Sequence, residues 1–169
     1  MRIYLSSTYI DLIEHRAAVA RVLRQMGHEV VGMEEYVAEG ARPIDRCLGD
    51  VNASDLYVGV FAWRYGYVPS ASTSASGASA NPGNALQSIT EAELQCALPK
   101  RPLVFLLDPN ASWPARCIDA ITGENEGGVR VKRLRDELSQ AWLAGYFTTP
   151  EDLARQVSAA VHRREMSDR

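Results

Sequence analysis

No run of about 18 apolar residues occurs in this sequence, so a membrane-spanning helix is not expected. The first residues, MRIYLSSTY, lack the basic-then-apolar build of a secretory signal, and the expected address is cytoplasmic. Cysteine is scarce. Cys47, Cys96 and Cys117 are odd in number and form no C-x-x-C pair, which argues against a disulfide framework and against a structural zinc site. Basic charge is not in excess either: 18 Lys and Arg face 21 Asp and Glu, for a net charge of -3. That leaves no footprint for binding nucleic acid through counterion release. The final VHRREMSDR is locally basic but short, and reads as a last helical turn with cations well placed on the helix dipole. Neither G-x-G-x-x-G nor G-x-x-x-x-G-K-[ST] is present, so a dinucleotide-binding Rossmann turn and a P-loop are both unsupported. His15, His28 and His162 have no serine or cysteine in a nucleophile elbow to serve, which disfavours Ser-His-Asp hydrolase chemistry.

What remains is an ordinary globular composition, 46% apolar and 23% charged over 169 residues. One domain spanning residues 1–169 is expected, large enough to bury roughly 70% of the surface of the unfolded chain. Residues 2–6 (RIYLS) read as a buried strand running into a polar loop at Ser6, Ser7 and Thr8. Residues 11–26 carry Leu12, Val19, Val22, Leu23 and Met26 at helical spacing, and Gly27 stands where a helix C-terminal glycine belongs. Residues 28–33 (HEVVGM) form a second strand and residues 43–51 a short helix with proline near its first turn. Residues 55–62 (DLYVGVFA) are apolar almost throughout, the mark of a central parallel strand covered on both faces.

No charged residue lies between Tyr65 and Thr90, and the Ser/Ala/Gly/Pro-rich insertion at about 69–87 reads as a flexible loop or lid. A helix resumes at Ser88 or Thr90 (SITEAELQCAL). A fourth strand at residues 103–107, a long irregular connection over 108–128, a helix over 129–143 and a fifth strand at 146–148 follow. Thr149-Pro150-Glu151-Asp152 then supplies a capping threonine, a first-turn proline and first-turn acids for a last helix. Strand and helix alternate five times, which predicts an α/β, three-layer, flavodoxin-like doubly wound parallel sheet of order 2-1-3-4-5. In that order the chain reverses between strands one and three, and ligands bind beyond the carboxyl ends of those strands.

Glu91 and Glu93 lie in the first turn of the helix that starts at this point, where a carboxylate can act as nucleophile or stabilise a cation, or merely complement the dipole. Leu94, Ala97 and Leu98 mark the core side, so Thr90 and Glu93 share a flank and Glu91 is expected farther toward solvent. Glu93 is thus the better catalytic candidate. The hydroxyls and backbone N–H groups of Ser6, Ser7 and Thr8 can receive phosphate or ribose oxygens or can cap the following helix. Asp55 opens the central strand as a turn residue or ligand contact. Arg64 can pair with Glu93, meet a ligand phosphate or lie on the surface, and Trp63 and Tyr65 beside it can stack on a ring or pack inside.

Residues 2–16 (RIYLSSTYIDLIEHR), 32–35 (GMEE), 55–66 (DLYVGVFAWRYG) and 88–98 (SITEAELQCAL) together resemble an uncharacterised domain family found at the N-terminus of large NACHT and other STAND-type NTPases and repeat proteins. That family is similar to TIR domains and to nucleoside 2-deoxyribosyltransferases, flavodoxin-like proteins that, where enzymatic, cleave N-glycosidic bonds with one glutamate. Their patterns G-T-x-x-E and W-C-x-x-E-L set the glutamate three residues after a small polar one, as Thr90 and Glu93 stand here, although Ser88-Ile89 replaces their glycine or tryptophan. The resemblance implies Glu93 as catalytic residue, with Ser6, Ser7, Thr8, Asp55, Trp63, Arg64, Tyr65, Gly66 and Thr90 on the substrate side. It further implies NAD or a related nucleotide as substrate with no cofactor or metal, self-association, and a STAND or NACHT NTPase in the same or a companion chain, in a signalling or defence role. A noncatalytic self-association module of the same fold is the other function class it leaves open.

Overall fold

The computed structural model describes residues 1–33, 43–69, 87–123 and 126–168. Five strands form one sheet of order 2-1-3-4-5 in which every neighbouring pair is parallel. They are β1 (Arg2–Ser7), β2 (Glu29–Val31), β3 (Leu56–Phe61), β4 (Leu103–Leu107) and β5 (Gly145–Phe147). The helices are α1 (Ile13–Gln25), α2 (Pro43–Ala53), α3 (Ile89–Ala97), α4 (Asp119–Thr122), α5 (Gly127–Ala141) and α6 (Pro150–Ser167). The expected topology is therefore the observed one. The connection over 108–128, expected to be irregular, contains the short α4, which ends at Gly123 with φ of +73°. Residues 70–86 of the Ser/Ala-rich insertion, and the last two residues of the stretch GMEE, lie outside the described residues.

Strand alternation divides the core into two layers. Ile3 and Leu5 of β1, with Leu56, Val58 and Val60 of β3, face α1 and α6. Tyr4, Tyr57 and Phe61 face the opposite layer with Val51 of α2, Leu94 and Ala97 of α3, and Val131, Leu134 and Leu138 of α5. All six residues of β3 are buried, as a strand covered on both sides requires. Gly59 serves this packing, because a Cβ there would lie 2.8 Å from the Phe61 ring and 2.9 Å from that of Tyr57. Side-chain caps set two helix starts: Ser88 Oγ accepts from Glu91 N at 3.2 Å, and Thr149 Oγ1 from Asp152 N at 3.1 Å.

Arg135 of α5 ties the sheet's carboxyl edge together. It donates to the carbonyls of Phe61 (3.0 Å), Ala62 (3.2 Å) and Leu107 (2.6 Å), the last groups of β3 and β4, and lies 3.9 Å over the Trp63 ring. Burial pulls its pKa down to about 10, so it stays charged at neutral pH. No helix among the described residues is long and apolar enough to cross a membrane.

Candidate functional site

β1 and β3 are neighbours whose chain continuations leave toward opposite faces of the sheet, so the space beyond their carboxyl ends is free of a crossover. Glu93 of α3 comes down onto β1 just short of that edge. Tyr4 Oη donates to Glu93 Oε1 at 2.8 Å, and Ser6 Oγ donates to Oε2. Tyr4 and Ser6 are alternate residues of one strand, which is why both reach the same carboxylate. Tyr57, opposite Tyr4 in the register, stacks on its ring with centroids 6.1 Å apart, and its hydroxyl has no hydrogen-bond partner. Glu93 is 2% exposed. Burial pushes its carboxyl above the usual value, opposed by the hydrogen bonds of Ser6, Tyr4 and Cys47 and by the charge of Arg16. Tyr57 is pushed well up by burial and, secondly, by the Glu93 charge.

A second polar level lies farther along the strands. Gly66, at φ of +96°, packs where an added Cβ would be 3.2 Å from Thr90 Oγ1, 3.3 Å from Thr8 Cγ2 and 3.7 Å from Ser88 Cβ. The structure thus joins Thr8, Gly66 and Thr90, with Thr90 one helical turn before Glu93. Ser7 belongs to the other face: it donates to the Thr8 carbonyl at 2.6 Å and accepts from Arg16 Nη1 at 2.8 Å. None of the three hydroxyls caps α1, whose N-cap Leu12 lacks a side-chain bond. Beyond Thr8 stands Asp11, its carboxyl raised by burial and facing Thr8, Arg64 and Asp119. Arg64 Nε lies 3.7 Å from Asp119 Oδ1, not against Glu93, while Asp119 Oδ2 accepts from Tyr65 N at 2.7 Å.

Two placements differ from expectation. Asp55 lies at the amino end of the sheet, accepting from Arg2 N at 2.7 Å, and so is remote from the carboxyl-edge residues it was grouped with. Glu91, expected toward solvent, is 4% exposed. It accepts from Tyr65 Oη and from Arg133 Nη2 at 2.9 and 3.0 Å, because α5 and the Tyr65 loop cover the side of α3 that its own helical pattern leaves polar. Trp63 is spent on packing and on Arg135, and Tyr65 on Glu91, Ser88 and Asp119.

Sequence reasoning missed Tyr4, Asp11 and Asp119. Two-residue alternation with Ser6 was a signal for Tyr4, and the loop position of Asp11 beside Thr8 a weaker one. Asp119, in a different element, gave none. Glu93 lines neither the hollow of about 250 Å³ bounded by Trp63, Arg135 and Tyr146 nor that of about 750 Å³ along α1. Among the described residues no three His, Cys, Asp or Glu side chains are grouped to hold a metal ion.

The arrangement offers a carboxylate held by two hydroxyl donors, adjacent to a hydroxyl-rich level and then to a mixed Asp/Arg/Asp level. Among solved structures, a Clostridium botulinum CMP N-glycosidase, BcmB, is similar at 12% identity and a TM-score of 0.47, over 94% of this chain and 99% of that one. A conserved protein from Enterococcus faecalis V583 is similar at 15% identity and a TM-score of 0.46, over 95% and 98% of the two chains. No curated protein matches the chain. The family model that matches is DUF4062, a domain of unknown function, over residues 2–162, and the chain belongs to that family.

Proposed function

We propose that this domain binds a nucleotide, NAD or a relative of it, at the carboxyl edge of β1 and β3 and breaks its N-glycosidic bond with Glu93. The observation that carries this reading is a carboxylate buried beside β1 near the point where the chain reverses, oriented by Tyr4 and Ser6 rather than paired directly with a cation. Placed against an anomeric carbon, it stabilises the oxocarbenium-like transition state as the C–N bond breaks and its electron pair leaves with the base. Water then adds its hydroxyl to the anomeric carbon; its proton passes to solvent when the leaving group is the cationic nicotinamide of NAD, which departs neutral, and to the base when a neutral nucleobase departs as an anion. Tyr4 and Ser6 hold the carboxylate in one orientation throughout, and burial strengthens its field on developing positive charge. Gly66 stands against Thr8 and Thr90 at this edge.

A second reading is favoured by a specific observation: both Glu93 oxygens are bonded and the residue is 2% exposed, as befits a polar tie between α3 and β1. In that reading the domain is a noncatalytic self-association module. On either reading, the resemblance of its motifs supports a place in a signalling or defence assembly with a STAND-type NTPase.

The test is mass-spectrometric product analysis after incubating concentrated protein with NAD, NADP, ATP and a panel of nucleosides, alongside Glu93→Gln. Free base released by the wild type and not by the variant upholds the glycosidase. No release at any protein concentration transfers the assignment to the module, and equal release by both chains removes Glu93 as the group that breaks the bond.

A further inference from the structure

Three buried polar atoms at the end of β1 have no hydrogen-bond partner among the described residues: Thr8 Oγ1 and both carboxylate oxygens of Asp11. Thr8 is 8% exposed, so its hydroxyl is as inaccessible to bulk water as a core atom. Thr8 lies close enough to Asp11 to favour the charged carboxylate, but no bond of good geometry joins them. Buried acceptors of this kind cost free energy unless something satisfies them, and such exceptions in a folded chain call for a missing partner. Arg64, facing the same carboxylate, makes an ion contact through Nε to Asp119. The level therefore offers two acceptors on Asp11, a hydroxyl on Thr8 that can give or take a bond, and the Arg64 guanidinium beside them.

Its position relative to Glu93 is set by the strand. Thr8 follows Ser6, the residue that holds Glu93, by two residues, or about 6.6 Å along an extended chain. Thr90, which shares the Gly66 contact with Thr8, sits one turn before Glu93 on the same flank of α3. A pentose with its anomeric carbon at Glu93 and its ring directed out of the sheet presents its hydroxyls to this level.

We propose that Asp11 and Thr8 form a sugar-diol subsite in which the two Asp11 oxygens accept from the adjacent 2- and 3-hydroxyls of a ribose, so that the ligand is a ribonucleotide and not a 2-deoxynucleotide. A carboxylate matches a vicinal diol because it has two acceptors and no donor, and removal of one hydroxyl leaves one oxygen buried and unsatisfied again. The subsite rests on the reading of Glu93 as the group at the anomeric carbon, since that reading orients the sugar.

The experiment is calorimetric titration of NAD, AMP, CMP, GMP and UMP, each against its 2-deoxy counterpart, in the Glu93→Gln chain, where no ligand is consumed. The same titrations in Glu93→Gln combined with Asp11→Asn or with Thr8→Val complete the set, and far-UV circular dichroism confirms that each variant folds. At least one ribonucleotide binds 10-fold or more tightly than its 2-deoxy form, and Asp11→Asn removes most of that ratio by weakening the ribonucleotide while the deoxy form changes little. Equal binding of the two forms, a ratio unmoved by Asp11→Asn, or no binding of any ribonucleotide overturns the proposal. Ribose-selective binding that depends on Asp11, in a protein whose wild type releases no base, upholds the subsite and removes only the glycosidase. Base release from 2-deoxynucleotides as fast as from ribonucleotides does the reverse.

Discussion

Replacing Gly66 with alanine tests the contact on which the site's second level depends. At φ of +96° the residue occupies backbone space that an L side chain enters at a cost of about 1–2 kcal/mol. The added Cβ also lies 3.2 Å from Thr90 Oγ1 and 3.3 Å from Thr8 Cγ2, so both threonines must give by a few tenths of an ångström, adding about 1 kcal/mol of overpacking. The expected loss is thus about 2–3 kcal/mol, which for a domain of this size lowers Tm by about 4–12 °C. Gly123→Ala is the matched control: its φ is +73° and nothing lies within 4 Å of the new Cβ, so only the backbone part of the loss is expected. Urea and thermal unfolding of both variants measure the difference. If Gly66→Ala is no more destabilising than Gly123→Ala, the close approach of Thr8, Gly66 and Thr90 is refuted. With that approach goes the placement of the polar level beside Glu93.

Burial raises the Glu93 carboxyl, so the folded chain takes up a proton at a pH where the unfolded chain, at an ordinary value near 4.5, does not. Relative to Glu93→Gln, the wild type therefore gains stability as pH falls through the raised value and loses it as pH rises, whereas turnover, which needs the ionised form, falls on acidification through the same range. Urea midpoints of the two chains that run parallel as the pH falls from neutral to the ordinary carboxyl value near 4.5 contradict the burial argument. Arg135→Met strands the carbonyls of Phe61, Ala62 and Leu107 and is expected to cost about 3 kcal/mol, read from urea unfolding. Arg135→Lys recovers less than half of that, because one ammonium cannot serve three carbonyls and cover the Trp63 ring. Full recovery by lysine would show that charge alone is needed there.

Much of the architecture follows from local sequence. The unbroken apolar run of β3, the five-fold alternation and the Thr149-Pro150 helix start each encode a short-range preference that tertiary packing kept. The choice of Glu93 over Glu91 as the residue near β1 was likewise legible, since Leu94 and Ala97 fix which flank of α3 turns inward. The fate of Glu91 was not. A helical pattern records only the side of α3 that meets the sheet, whereas Arg133 and Tyr65 come from elements 42 and 26 residues away.

Asp55 shows the same limit in another form. Its strand was identified from composition, yet its position at the amino end means that it meets Arg2 and not the ligand edge. The sequence by itself determined the strands, their order and the carboxylate that approaches β1, because periodicity and end signals are local. Only the tertiary structure decided that Tyr4 and Ser6 would hold that carboxylate, that Arg64 would turn to Asp119, and that the Asp11 carboxylate oxygens and the Thr8 hydroxyl would be buried without partners among the described residues. These are meetings between side chains far apart in the chain, and their geometry exists only once the sheet has brought the ends of its strands together.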